Sequence, residues 1–201
     1  MKSLKVLLIV LLVYGCASIA PQGTVLRHEN DEGKLLTKQE FMERVSRSAT
    51  LVHQGMSAIS EAVNQYALDN NNDLPSGSSK KVQQLILDGG YLKEWPVAPP
   101  FAFTDPIISP FFYAVRYDNL DGVGPPEAVI SAPDLKVEVC REFNRHYSDF
   151  APDDTIYDWE AAGKKYPGQK IGRHIKVFTI AWSKLKQPDY CDAIWIMDYK
   201  Y

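Results

Sequence analysis

Between Thr37 and Asp69 the chain carries one apolar stripe at helical spacing, and no other stretch restricts its folding as much. Phe41, Val45, Val52, Met56, Ile59, Val63 and Tyr66 recur at intervals of three, four or seven residues. This puts them on one face of an α-helix and leaves Glu43, Arg47, Gln54 and Glu61 largely outside it. Thr37 and Glu40 stand at the spacing of a capping box, in which the hydroxyl accepts from the amide of residue 40 while the carboxylate reaches back. The run Asp69-Asn70-Asn71-Asn72-Asp73 competes locally for backbone hydrogen bonds, so the helix is expected to stop there, ahead of Leu74-Pro75. A helix of roughly 33 residues extends about 50 Å. A rod of that length either bends, with Gly55 the position for a kink, or projects beyond the body it packs on.

The rest of the chain reads as shorter elements. Ser78-Ser79 as caps, Val82, Leu85 and Ile86 as a stripe and Gly89-Gly90 as a stop give a second helix. It leads through Tyr91-Leu92-Lys93-Glu94-Trp95-Pro96 into a proline-rich stretch. Residues 111–117 and 127–132 are aromatic or β-branched and frame a long loop, Asp118 to Pro126, which reads as a hairpin. Pro133-Asp134 can open a helix that runs to about Tyr147 and turns Val137, Cys140, Phe143 and Tyr147 inward. Two further strands, at about 175–182 and 193–199, follow an irregular segment, 148–170, rich in Asp, Tyr, Gly and Lys. A long helix followed by strands that pair antiparallel is the α+β pattern.

The first residues have a different character. Met1-Lys2-Ser3-Leu4-Lys5 precedes an apolar run, 6–14, and the junction Val13-Tyr14-Gly15-Cys16-Ala17 resembles the lipobox of bacterial lipoproteins. The run is about ten residues, half of the ~20 that a membrane-crossing helix needs, and suits a signal peptide. The resemblance implies that residues 1–15 are a signal peptide and that Cys16 is acylated as the first residue of the mature chain. Ala17 beside it implies an outer-membrane destination, facing periplasm or surface. An ordinary secretory leader cut after Ala17 or Ala20 is the alternative. Residues 16–36 lack apolar periodicity and read as a flexible tether, leaving 37–201 as one globular domain. Loss of Lys2 and Lys5 with the leader moves the formal charge from −3 to −5. No basic stripe is present, so nucleic acid is not expected as a partner.

Export also determines how the other cysteines read. Of three, only Cys140 and Cys191 remain, and outside the cytosol an even number normally pairs. A bond between them encloses about 50 residues, for which loop entropy gives roughly 4 kcal/mol. Two buried free thiols are the other outcome.

Two parts of the domain resemble the type IV pilins and pseudopilins. One is 58–70 with Leu74-Pro75, Leu85 and Tyr91-Leu92-Lys93-Glu94-Trp95-Pro96. The other is Val139-Cys140-Arg141-Glu142-Phe143-Asn144 with Cys191 and the terminal strand. The resemblance covers about 38–201 and implies a long helix lying across a four-stranded antiparallel sheet, with Cys140 and Cys191 bounding a disulfide loop. Within that loop Tyr147, Tyr157, Trp159 and Tyr166 are the expected partner-binding residues, since aromatics contribute contact area at little rotamer cost. The chain departs from pilins at its start. Cys16 follows Gly15, the apolar run lies before it, no acid occurs until Glu29, and the filament-core helix is missing. A misassigned start codon gives a similar pattern. The expected function is a non-enzymatic structural or adhesive lipoprotein of a type IV pilus or related secretion apparatus, with pilus or secretion proteins as partners. The alternative is a periplasmic ligand- or protein-binding lipoprotein unrelated to pili.

Signals for chemistry are weak. His28, His53, His146 and His174 do not form an i, i+4 pair, three scattered cysteines do not make a zinc site, and neither a Gly-x-Ser-x-Gly elbow nor a phosphate-binding glycine loop occurs. No catalytic residue and no cofactor are expected. Asp149, Asp153, Asp154 and Asp158 form an acidic cluster that reads as solvated loop. Asp118, Asn119 and Asp121, ahead of Gly122, resemble part of a calcium loop but lack the bidentate Glu at the right distance, so an ordinary Asx turn competes with a calcium site.

Overall fold

A computed structural model describes residues 35–97, 100–103, 111–116, 127–149, 176–180 and 190–197. The chain divides into two units, Met1–Lys38 and Gln39–Tyr201, and the fold described below is that of the second. The first strong sequence signal becomes helix α1, Lys38–Asp69, one α-helix of 32 residues that starts directly after Thr37. Phe41, Val45, Val52, Met56, Ile59 and Val63 are all buried, and Tyr66 packs half-buried against the core. Buried positions run from Phe41 to Ala67, so the rod is used along nearly its whole length and neither end projects. The helix also continues through Gly55 without interruption. That glycine serves close approach: a Cβ there would stand 2.5 Å from the Phe111 ring and 3.2 Å from Pro96. The asparagine run ends the helix by a left-handed turn. Asn71 and Asn72 have φ of 56° and 65°, and the Asn72 amide donates back to the Ala67 carbonyl at 2.7 Å.

Helix α2, Ser79–Asp88, is capped by Ser78, whose hydroxyl accepts from the Lys81 amide at 3.3 Å, and it stops at Gly89-Gly90, where Gly90 has φ 74°. Val82 and Ile86 are buried under it. A 3-10 turn, Pro100–Ala102, precedes strand β1, Phe112–Arg116, and strand β2, Glu127–Lys136. Helix α3 is Val137–Tyr147, and strands β3, Val177–Ile180, and β4, Tyr190–Met197, complete the described chain.

Two expectations need correction. Pro133-Asp134 does not open a helix. The pair lies inside β2 at a register shift between Ala132 and Leu135, where Asp134 takes φ 55° and its amide donates to Asp192 Oδ1 at 3.0 Å. A bulge absorbs Pro133, which has no amide to give the ladder. Helix α3 therefore starts three residues later, at Val137, and turns Val139 inward in place of Val137, together with Cys140 and Phe143. The last strand also begins earlier than expected, at Tyr190, so Cys191 is part of β4 and pairs with Leu135.

The strands pair antiparallel in the order β1-β2-β4-β3. Ala128, Ile130, Ala132 and Leu135 of β2 and Cys191, Ala193 and Met197 of β4 share the core with the helices. Side chains alternate along a strand, so Phe178, Ile180, Ile194 and Ile196 point to the reverse face. They too are buried, none exposing more than 5 %. Around β3 and β4 the sheet is thus enclosed on both sides, a feature that a helix layer on one side alone does not supply.

Candidate functional site

Helix α3 meets β4 at two places, and their spacing follows from element geometry. Cys140 and Cys191 form a disulfide with Cα atoms 6.5 Å apart, both residues 3 % exposed. Seven residues on, Tyr147 lies on the same side of α3, and four residues on, Trp195 lies on the same side of β4. Those steps are about 10 Å of helix and 13 Å of strand. The two elements therefore run alongside each other from the disulfide to an aromatic junction.

That junction is completed by α1. The His53 imidazole stacks on Tyr147 at 4.2 Å between centroids and 14° between planes, and on Trp195 at 5.3 Å and 27°. Phe143 leans against it at 6.2 Å. The Tyr147 hydroxyl donates to Thr50 Oγ1 at 3.0 Å, one helical turn before His53, so one side chain of α3 makes both a ring contact and a hydrogen bond to α1. His53 is half-buried, and burial lowers its pKa below the usual 6.5. Elsewhere on α3 the buried Glu142 carboxylate is paired with two exposed side chains, Arg145 at 2.5 Å and His146 at 3.2 Å. On the sheet side, Asn144 Oδ1 accepts from the buried Thr179 hydroxyl at 3.0 Å.

Immediately after α3 the chain is pinned again. The Asp149 amide donates to the Val177 carbonyl at 2.7 Å, and Asp149 Oδ2 accepts from the Lys176 and Val177 amides at 2.7 and 2.9 Å. Residue 149 and residues 176–177, which flank the segment 150–175 in sequence, are thus joined at one neck. Asp149, read from sequence as a solvated loop acid, spends its carboxylate on backbone amides.

The predicted site residues divide accordingly. Cys140 and Cys191 are brought together as a bond. Tyr147 is placed inside the junction, half-buried, with its hydroxyl engaged. Cys16, Tyr157, Trp159, Tyr166, Asp118, Asn119 and Asp121 lie outside the described residues. The sequence reading missed Thr50, His53 and Trp195 as a unit, because three elements distant in the chain contribute them. A local hint existed in His53 itself, a titratable ring beside Val52 on the edge of the apolar stripe.

The junction joins α1, α3 and β4 through ring contacts and one hydrogen bond. Among the described residues no three His, Cys, Asp or Glu side chains form a group able to hold a metal, no hydrogen bond joins His53 to a nucleophile, and no helix is long and apolar enough to cross a membrane. Comparison with protein-family models, with curated proteins and with solved structures gives no match for this chain.

Proposed function

We propose that the protein is a pilin-like accessory lipoprotein of the bacterial envelope, non-enzymatic, acting through protein contacts at a type IV pilus or related secretion apparatus. The observation that carries this reading is the bond from α3 to the last strand, Cys140–Cys191, on a fold that opens with one long helix packed against antiparallel strands. That combination of helix, sheet and C-terminal staple is what the pilin resemblance implies. The reading takes the strands β1-β2-β4-β3 as the family's four-stranded sheet and Cys16 as the lipid-bearing residue. It assigns partner contact to the segment between Asp149 and Lys176, which carries Tyr157, Trp159 and Tyr166. Three hydrogen bonds fix the two points, Asp149 and Lys176–Val177, between which that segment runs in sequence.

Two measurements test the proposal together. Intact mass spectrometry of the protein from membranes is expected to show a mature chain starting at an acylated Cys16. Affinity capture from cross-linked envelopes is expected to recover pilus or secretion components with the parent chain, and to lose them when Tyr157, Trp159 and Tyr166 are all replaced by Ala. Recovery of a bound small molecule with an otherwise solitary chain would transfer the assignment to a ligand-binding lipoprotein. In the same preparation, an unchanged melting temperature in millimolar calcium removes Asp118, Asn119 and Asp121 from consideration as ligands.

A further inference from the structure

The His53 stack is the point at which three elements depend on one titratable ring. Its partners Tyr147 and Trp195 come from α3 and β4, and both cover faces of the imidazole. One turn to either side on α1 lie Ala49, Thr50, Met56 and Ser57, none of which titrates near neutrality. On β4 the same face carries Ala193 and Met197, and on β3 Val177 and Thr179. The charged groups nearby belong to α3 and the neck: Glu142 with Arg145 and His146, and Asp149, whose carboxylate is held by the Lys176 and Val177 amides. Among the described residues, then, no carboxylate forms an ion pair with His53.

We propose that His53 makes this junction a proton-sensitive joint. With a neutral ring, α1 is held against α3 and β4, and protonation loosens that hold. A proton on His53 places a charge in a half-buried slot walled by rings, with no counter-ion among the described residues. The attraction of an imidazolium for the Tyr147 and Trp195 faces works against this loss, but it recovers only part of the hydration given up. The lowered pKa agrees with that balance. The linkage follows directly. A histidine whose folded-state pKa lies below its unfolded value of 6.5 takes up its proton more readily when unfolded, so stability is lost as pH falls through 6.5 and the loss is complete below the folded-state pKa. The joint would thus let a shift of the medium toward acid relax the middle of α1 while the Cys140–Cys191 bond keeps α3 on β4.

The test uses the full chain, oxidised. NMR titration of the imidazole signals is expected to give His53 a midpoint below 6.5, with Tyr147 and Trp195 ring signals shifting at the same midpoint. His146→Gln, which removes the neighbouring imidazole and leaves the stack, should retain that midpoint. Between pH 7.5 and 5.0 the parent is expected to lose several degrees of melting temperature more than His53→Phe, each protein being compared only with itself. A His53 midpoint at or above 6.5, or equal pH dependence in parent and variant, overturns the proposal. If His53→Phe does not fold, the titration of the parent alone decides.

Discussion

At Gly55 one missing carbon sets how closely α1 approaches the segment that carries Phe111. A Cβ built there stands 2.5 and 2.8 Å from Phe111 ring atoms and 3.2 Å from Pro96 Cβ, and Phe111 is only 2 % exposed, so its ring has no solvent to swing into. Gly55→Ala would gain about 1 kcal/mol of helix propensity. Overpacking of a filled core costs about 1–3 kcal/mol, and the short distances favour the upper part of that range. The expected net result is a loss of about 1–2 kcal/mol in urea unfolding, restored in large part when Phe111→Leu is added. A stabilised single variant would mean that the ring moves aside freely. The sequence invited the opposite reading of this residue, a kink in a long helix, because a chain read by itself shows the glycine but not the ring that requires it.

At the scale of elements, α3 is held on β4 by a bond and held to α1 by the stack. The bond spans a sequence separation of 51, for which loop entropy gives about 4 kcal/mol, though measured values centre on 2–4. Replacing Cys140 and Cys191 together by Ala avoids leaving a lone thiol and is expected to lower the melting temperature markedly. Reductant should bring the parent toward that value and leave the double variant unchanged; equal melting of parent and variant under oxidising conditions would remove the bond from the account. Thr50 and Tyr147 form the second tie. Thr50→Val and Tyr147→Phe should each destabilise, and the double variant should be better than their sum by about 0.5–1.5 kcal/mol, the coupling of a partly buried hydrogen bond. Additive losses would assign Tyr147 to ring packing alone. The elements whose signals are local were legible from sequence: the α1 stripe, the asparagine stop, the Ser78 cap of α2 and the odd-one-out arithmetic that paired Cys140 with Cys191. Legibility failed where a partner far along the chain decides. Pro133-Asp134 has the composition of a helix start, and it is Asp192, 58 residues away, that makes it a bulge. The same long reach hid the His53 junction, whose rings sit on α1, α3 and β4.

For the molecule as a whole, the informative fact is that the sheet at β3 and β4 has two buried faces. A helix layer on one side accounts for Ile130, Ala193 and Met197 but leaves Phe178, Ile180, Ile194 and Ile196 unexplained, and these expose 5 % or less. The sequence carries the corresponding mark. Strands with one wet face alternate apolar with polar, whereas Ala193-Ile194-Trp195-Ile196-Met197 is apolar throughout, as strands covered on both sides are. Ile130 and Ile196 allow a direct comparison, since both are 0 % exposed, on opposite faces of neighbouring strands. If burial on the two sides is equivalent, Ile130→Ala and Ile196→Ala should each cost about 2–5 kcal/mol, the range for deleting three buried carbons and leaving a cavity. If the reverse face were wet, Ile196→Ala would fall within about 0.5 kcal/mol of the parent, as surface substitutions do. Urea unfolding of the two variants under oxidising conditions, with the slope checked for constancy, separates these outcomes. Equal losses are expected, because a fully covered isoleucine loses the same packing whichever side of the sheet its neighbours come from.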